Sequence, residues 1–580
     1  MNTPTRIFCS VIIFAAAISE SRSEDWSALP CNAPTPWTAQ VSPQTVQGEY
    51  PRPQLVRKDW LSLNGLWEYS IVSKTEEATV LSKGKIRVPF PVESPLSGVG
   101  KTVGPENELI YQRSFTVPEE WKGKNVILNF EAVDWQTEVL VNGKSAGKHQ
   151  GGYTPFSFDI TEFLASGGQQ LLQVKVYDPT DASWQPRGTQ NRSVNLQPGA
   201  EVTGIWDAVW LEPVSPEAYL SDIWAAAGKK AGDTFITSAD GAVFISGSVM
   251  RTEESKVCIT VFDSQNKKIS EKEAPVQAFG YFGAQIQIDT PHLWTPENPY
   301  LYRVKVEVHT ATALVDTAES YFGIRTVSIG TDAEGTNRIL LNGKPVFQLG
   351  VLDSGWFPDG YYTAPSEEAL KSDLQAVKDA GFNLIRKYQK VAPRRYYYWC
   401  DTIGLLVWQD MPSGDAAIAQ GEKDMVRSDA SEKNFYVEWG EIIETLRNSP
   451  SIIMWIPFNQ GVGQFQTAQV IQWTKAQDPT RLTDGASGWE DRQSGDALDL
   501  HSLPVFRNFF WTKGRAVIIG KFFDWKNADA DNSLEKSPRC KAEFEKILQP
   551  YIEKGLSGAV VIPLTNWYDA ETGLLPPDRK

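Results

Sequence analysis

Cysteine and histidine are scarce, with five and four residues in a chain of 580. Cys31, Cys258, Cys400 and Cys540 lie far apart, and Cys9 falls in the apolar amino-terminal stretch. This excludes a disulfide-dense scaffold, and no His/Cys cluster has metal-ligand spacing. Cys400, in the run Tyr396-Tyr-Tyr-Trp-Cys400, reads as a free thiol on a buried helix face. Basic charge is short as well. Fifty-six Lys and Arg face 71 Asp and Glu, a net charge of −15. That disfavours nucleic acid and anionic membranes as partners and suits a neutral one. Neither a dinucleotide fingerprint nor a phosphate loop occurs, so no cofactor is expected. After residue 23 no apolar run is long enough to span a bilayer. Before it, Arg6 precedes the apolar run Ile7 to Ile18, followed by small residues at Ala17-Ile-Ser19 and Ser21-Arg-Ser23. Residues 1–23 therefore read as a signal peptide, which predicts a secreted or periplasmic protein. Asn191-Arg-Ser193 is the one glycosylation sequon.

Aromatic residues, by contrast, are plentiful. They make up 11% of the chain, with 21 Trp, and the hydrophobic fraction is 41%. This is ample for three or four domains with large cores. Aromatic faces suit sugar rings, although large β-sandwiches bury Trp too.

Residues 24–53 are rich in Pro, Thr and Gln and read as a leader over the first domain. From 54 to 217 the pattern is all-β. Val126, Leu128 and Phe130 recur at the spacing of two that lines one strand face, and Asn142-Gly143 predicts a hairpin turn. Short strands continue through 218–329. From 330 to 580 strand and helix signals alternate, as a parallel sheet requires. Eight strands are predicted: Val346–Val351, Asn383–Lys387, Leu405–Asp410, Ile452–Phe458, Leu482–Ala486, Leu498–His501, Ala516–Gly520 and Gly558–Leu564. A helix follows the first, capped by Ser366, with Leu370, Leu374 and Val377 on one face and Gly381 at its end. Eight strands in about 250 residues fit a (β/α)8 barrel, whose chemistry lies at the carboxyl ends of the strands.

The stretch Asn448-Ser-Pro-Ser-Ile-Ile-Met-Trp-Ile-Pro-Phe-Asn-Gln460 resembles the acid/base strand of glycoside hydrolase family 2, the β-galactosidase, β-glucuronidase and β-mannosidase family. Gly350-Val-Leu-Asp-Ser-Gly-Trp-Phe-Pro-Asp-Gly360 and Leu405-Leu-Val-Trp-Gln-Asp-Met-Pro412 resemble it as closely. In the first two domains, Gly204-Ile-Trp-Asp-Ala-Val-Trp-Leu-Glu212, His292-Leu-Trp-Thr-Pro-Glu-Asn-Pro-Tyr300 and Phe322-Gly-Ile-Arg325 do the same. The resemblance implies a jelly-roll domain (54–217), an immunoglobulin-like β-sandwich (218–329) and a (β/α)8 TIM barrel (330–580). It implies a carbohydrate partner.

Two departures stand at the chemical positions that the resemblance implies. A retaining glycosidase needs two carboxyl groups about 5–5.5 Å apart. The acid/base position holds Gln460, whose amide keeps the shape of Glu but delivers no proton. The nucleophile position holds Lys521. A charge pair at 4 Å and an effective dielectric of 20 is worth about 4 kcal/mol. Reversing its sign costs about twice that, nearly six decades in rate. Polar residues expected at a sugar site are Asn459, Asp353, Arg386, Asp410, Tyr388 and His501, each of which could also be a satisfied barrel residue. The expectation is a member of the family that binds sugar without hydrolysing it. One alternative is an active glycosidase with displaced carboxylates, for which Asp524, Glu490, Asp491, Asp569 and Glu571 lie near strand ends. Another is a scaffold whose pocket is filled by Tyr388, Leu503, Pro563 and Leu564.

Overall fold

The computed structural model describes residues 26–580 apart from 45, 76–77, 193–199, 233, 251–253, 489, 504–513, 524–540 and 566–572. The predicted signal peptide, Cys540, Asp524, Asp569 and Glu571 lie outside the described residues. No helix is long and apolar enough to cross a membrane among those described.

The first domain packs a six-stranded antiparallel sheet against a four-stranded one. Asn142 and Gly143 adopt φ of 50° and 79°, the left-handed pair that turns a two-residue hairpin between Gln136–Val141 and Lys144–Gln150. The strand Asn125–Phe130 departs from the predicted alternation, because all six residues are buried. Its second face meets the barrel domain instead of water: Asn129 shares a cavity wall with Arg394 and Glu441. The second domain is two four-stranded antiparallel sheets around a core of Val, Ile and Phe.

The third domain is the barrel. Its strands are β1 (Gln348–Asp353), β2 (Leu384–Lys387), β3 (Leu406–Asp410), β4 (Ile452–Ile456), β5 (Leu482–Thr483), β6 (Ala497–Leu500), β7 (Ala516–Ile519) and β8 (Leu556–Pro563). Every neighbour pair within the sheet is parallel, in the order 5-4-3-2-1-8-7-6. A single parallel bridge from Asp484 to Ala497 joins the two ends. Each of the eight predicted strands has an observed counterpart, with ends shifted by up to three residues. Helix α1 (Glu367–Asp379) starts where predicted, with Ser366 Oγ accepting from the Ala369 N–H. Leu374 and Val377 are buried on its inner face, and Gly381 at φ 86° turns the chain back. Helices α2 (Arg394–Ile403), α3 (Asp429–Leu446), α4 (Thr467–Gln477) and α5 (Lys541–Glu553) complete the described shell. Cys400 on α2 is a free, buried thiol.

Period-two alternation sets the barrel interior. Leu384, Leu406, Trp408, Met454, Leu482, Ala497 and Ile518 form its apolar lower layers. Two residues beyond several of them come Arg386, Asp410, Asp484, Asp499 and Gly520, so the layer nearest the mouth is polar. The floor is closed by the antiparallel strands Val327–Thr331 and Asn337–Leu341, whose Val327, Ile339 and Leu341 enter the same core. There Arg325 donates to the carbonyls of Pro450, Thr480 and Ile452 at 2.8–3.0 Å.

Candidate functional site

Arg386 is the hub of the polar layer, and it is fully buried. Its Nε and Nη2 bind the two Asp410 oxygens at 3.0 and 3.2 Å. Nη2 also donates to Asn459 Oδ1 at 3.1 Å. Nη1 donates to Ser487 Oγ at 2.7 Å, Gly520 O at 3.0 Å and Asp499 Oδ2 at 3.4 Å. Burial disfavours the charged guanidinium, but Asp410 and Asp499 overcome that and push its pKa up. Burial raises the Asp410 pKa in turn, against the pull of Arg386.

Asn459 ends the loop after β4. Its Nδ2 donates to Tyr388 Oη at 3.1 Å. Lys521, just beyond β7, donates to the same hydroxyl at 3.4 Å and places Nζ 4.9 Å from the Tyr388 ring centroid. One phenol thus links Lys521 to the residue beside Gln460. Gln460 itself sits at φ 53° and is half-buried. Its backbone N–H bonds Ser487 O at 2.8 Å, and its Nε2 lies 3.4 Å from His501 Nδ1. A His501 ring that accepts at Nδ1 carries its proton on Nε2, which is 2.8 Å from Ser487 Oγ. Burial, then the charges of Arg386 and Lys521, push the His501 pKa down to about 3, so the ring is neutral.

Asp353 lies apart from this group. Its Oδ2 accepts from Lys387 Nζ at 2.8 Å and Tyr396 Oη at 2.6 Å. Burial opposes its ionisation, but Lys387 and the hydrogen bonds hold the carboxyl below the usual range. The structure therefore gathers Gln460, Lys521, Asn459, Arg386, Asp410, Tyr388 and His501 on one rim and ties Asp353 into a neighbouring ion pair.

Three members of the layer escape sequence reasoning: Ser487, Asp484 and Asp499. Asp499 lies inside a predicted strand, two residues before His501, and that inward register was the available signal. Asp484 is fully buried, and among the described residues its oxygens meet no hydrogen-bonding group besides the Asp499 carboxyl. Its pKa is pushed well up, by burial first and then by the Asp499 carboxyl beside it. Burial raises Asp499 too, although Arg386 opposes this. A proton on one of the two lets the abutting acceptors meet without repulsion.

The displaced carboxylates that are described are each held in an ion pair. Glu490 accepts from the Gly421 N–H and pairs with Arg492 at 2.9 Å. Asp491 pairs with Arg515 at 2.8 Å. Leu503 is half-buried against the outer core, while Pro563 and Leu564 are buried.

Three family models match this chain. They are the sugar binding domain of glycosyl hydrolases family 2 over residues 83–211, the family 2 middle model over 222–325 and the family 2 TIM barrel domain over 334–550. A β-galactosidase of Thermoanaerobacter pseudethanolicus is 29% identical over 354 residues, 60% of this chain and 44% of that protein. A dog β-glucuronidase is 25% identical over 483 residues, covering 74% and 69% of the two chains. The solved structure of Bifidobacterium dentium β-glucuronidase with coumarin-3-O-glucuronide superposes with a TM-score of 0.73 at 18% identity, covering 91% of this chain and 96% of that one. The chain spans less than half the length of the β-galactosidase.

Proposed function

Because this chain belongs to glycoside hydrolase family 2, we propose that it is an exported member that binds a saccharide at the barrel mouth without hydrolysing it. The signal peptide (1–23), the leader (24–53) and domain boundaries at 54–217, 218–329 and 330–580 are part of that reading. One observation carries it. The positions expected to hold the two catalytic carboxylates hold an amide and an ammonium, and the described acids beneath them are buried. Asp410 and Asp499 are committed to Arg386 and Asp353 to Lys387. Asp484 is fully buried against Asp499, so among the described residues no exposed carboxylate stands there to protonate a leaving oxygen or attack an anomeric carbon. Gln460 can accept and donate to a sugar hydroxyl, and Lys521 adds positive charge. A uronic acid is therefore favoured over a neutral sugar, in keeping with the β-glucuronidase names among its relatives.

The scaffold reading has its own support, because Tyr388 already takes hydrogen bonds from Asn459 and Lys521 that a sugar would need. Calorimetry with glucuronic, galacturonic and neutral sugars, beside an aryl β-glycoside assay, decides between the two. Expected are reversible uronic acid binding, weakened at least tenfold by Lys521→Ala, and no aglycone release. No binding leaves the scaffold. Turnover that survives Gln460→Ala and Lys521→Ala would establish a displaced catalytic pair.

A further inference from the structure

A cavity of about 260 Å³ opens where the two sandwiches and the barrel domain meet, and it shares no lining residue with the barrel mouth. It holds about nine waters at roughly 30 Å³ each. That is just under the roughly 300 Å³ at which drug-sized pockets begin, a scale that suits one or two sugar rings. Asn129 lies in its wall and is only 4% exposed. Its Nδ2 donates to Ile127 O at 3.2 Å, and its Oδ1 meets no protein donor among the described residues. Arg394 is also in the wall and uses Nε and Nη2 on Glu131. Arg52 uses Nη2 on Glu212. Nη1 of each has no protein partner among the described residues. Glu441, facing them from α3, keeps Oε2 unpaired.

The wall thus offers guanidinium donors and amide or carboxylate acceptors at close quarters, without a matching set of protein partners. Two guanidinium charges meet the acids Asp222, Glu441 and Glu444 in the lining, so a strongly charged ligand of either sign gains little. A hydroxyl both donates and accepts, and a row of vicinal hydroxyls meets such a wall without leaving a group unpaired. Sites at domain junctions are a common place for small ligands.

We propose that this three-way junction is a saccharide site, separate from the barrel mouth, that takes a neutral mono- or disaccharide. It stands independently of the barrel reading. Ser157 lies on the cavity wall and is exposed, so Ser157→Trp fills the opening without disturbing the core. The full chain is titrated with glucose, galactose, mannose, cellobiose and lactose by calorimetry and ligand-observed NMR. The same titrations are run on Ser157→Trp, Asn129→Leu and Lys521→Ala, each checked for unchanged urea unfolding. At least one neutral sugar should bind, at least tenfold more weakly to Ser157→Trp and Asn129→Leu, and with unchanged affinity to Lys521→Ala. The site is refuted if none of the five binds, if binding survives Ser157→Trp undiminished, or if Lys521→Ala abolishes it. Should Asn129→Leu fail the unfolding check, Ser157→Trp alone decides.

Discussion

Replacing Asp484 by Asn tests the buried proton directly. In the native protein burial raises both carboxyls of the Asp484–Asp499 pair, and the neighbouring Asp499 carboxyl raises Asp484 further, so the pair keeps a proton above the range in which free aspartates lose theirs. Unfolded aspartates titrate near 3.9 and hold none above about pH 5. Between that pH and the raised folded value the native state binds up to one proton more than the unfolded state. A raised folded pKa gives stability that is complete below the unfolded value and is lost as pH rises toward the folded one. The loss is about 1.4 kcal/mol per pH unit. Asp484→Asn removes the titrating group and gives Asp499 an amide N–H donor instead. Its stability relative to the native protein should therefore rise with pH from 5 upward, by at most about 2.7 kcal/mol at pH 7, two units at 1.36 each. Other buried carboxyls, such as Glu93 and Asp207, each held up to about 8 chiefly by burial, slope the same way in both proteins and cancel in the difference. Urea unfolding followed by tryptophan fluorescence at pH 5, 6 and 7 measures it. A difference that stays constant within about 0.5 kcal/mol across the three pH values would refute the buried proton.

Arg386→Met strips Asp410 and Asp499 of their counter-charge and should cost about 3–5 kcal/mol in the same urea assay, with Arg386→Lys recovering only a minor part because one ammonium cannot reproduce the fork. Ser366→Ala removes the α1 cap and should cost about 1 kcal/mol, leaving sugar binding unchanged by calorimetry.

The barrel was legible because its strands are short apolar runs closed by turn residues, as in Ile452 to Ile456 after Asn448-Ser-Pro. The α1 cap and the Asn142-Gly143 hairpin were legible for the same local reason. The rim was legible through the family motif, which places Gln460, Asn459 and Lys521 by position. What the sequence hid was pairing. Nothing local says that Arg386 reaches Asp410, Ser487 and Asp499 at once, since those residues come from four different strand ends. Asp484 was missed although it lies inside the predicted strand Leu482–Ala486, because one strand alone does not show that its carboxyl meets Asp499 from the next. The burial of both faces of Asn125–Phe130 was hidden too, because it depends on a helix more than 260 residues further along the chain.

Arg325 gives the fold a consequence of another kind. This side chain belongs to the end of the second sandwich, yet all three of its described acceptors are carbonyls on the barrel floor. Tyr321 of the same sandwich donates to Asp401 of the barrel at 2.8 Å, and the Ala225 N–H to Asn448 Oδ1 at 2.9 Å. Deleting the barrel would expose or orphan buried polar groups in its neighbour, so the modules are mechanically interlocked. Selection can therefore preserve the barrel for the sake of the sandwich it supports, while the chemistry at the opposite end of the same strands drifts. Change at the mouth and retention of the floor would be compatible within one domain, because the apolar strand interior insulates one from the other. A strand such as Gln348–Asp353 spans about 20 Å at roughly 3.3 Å per residue.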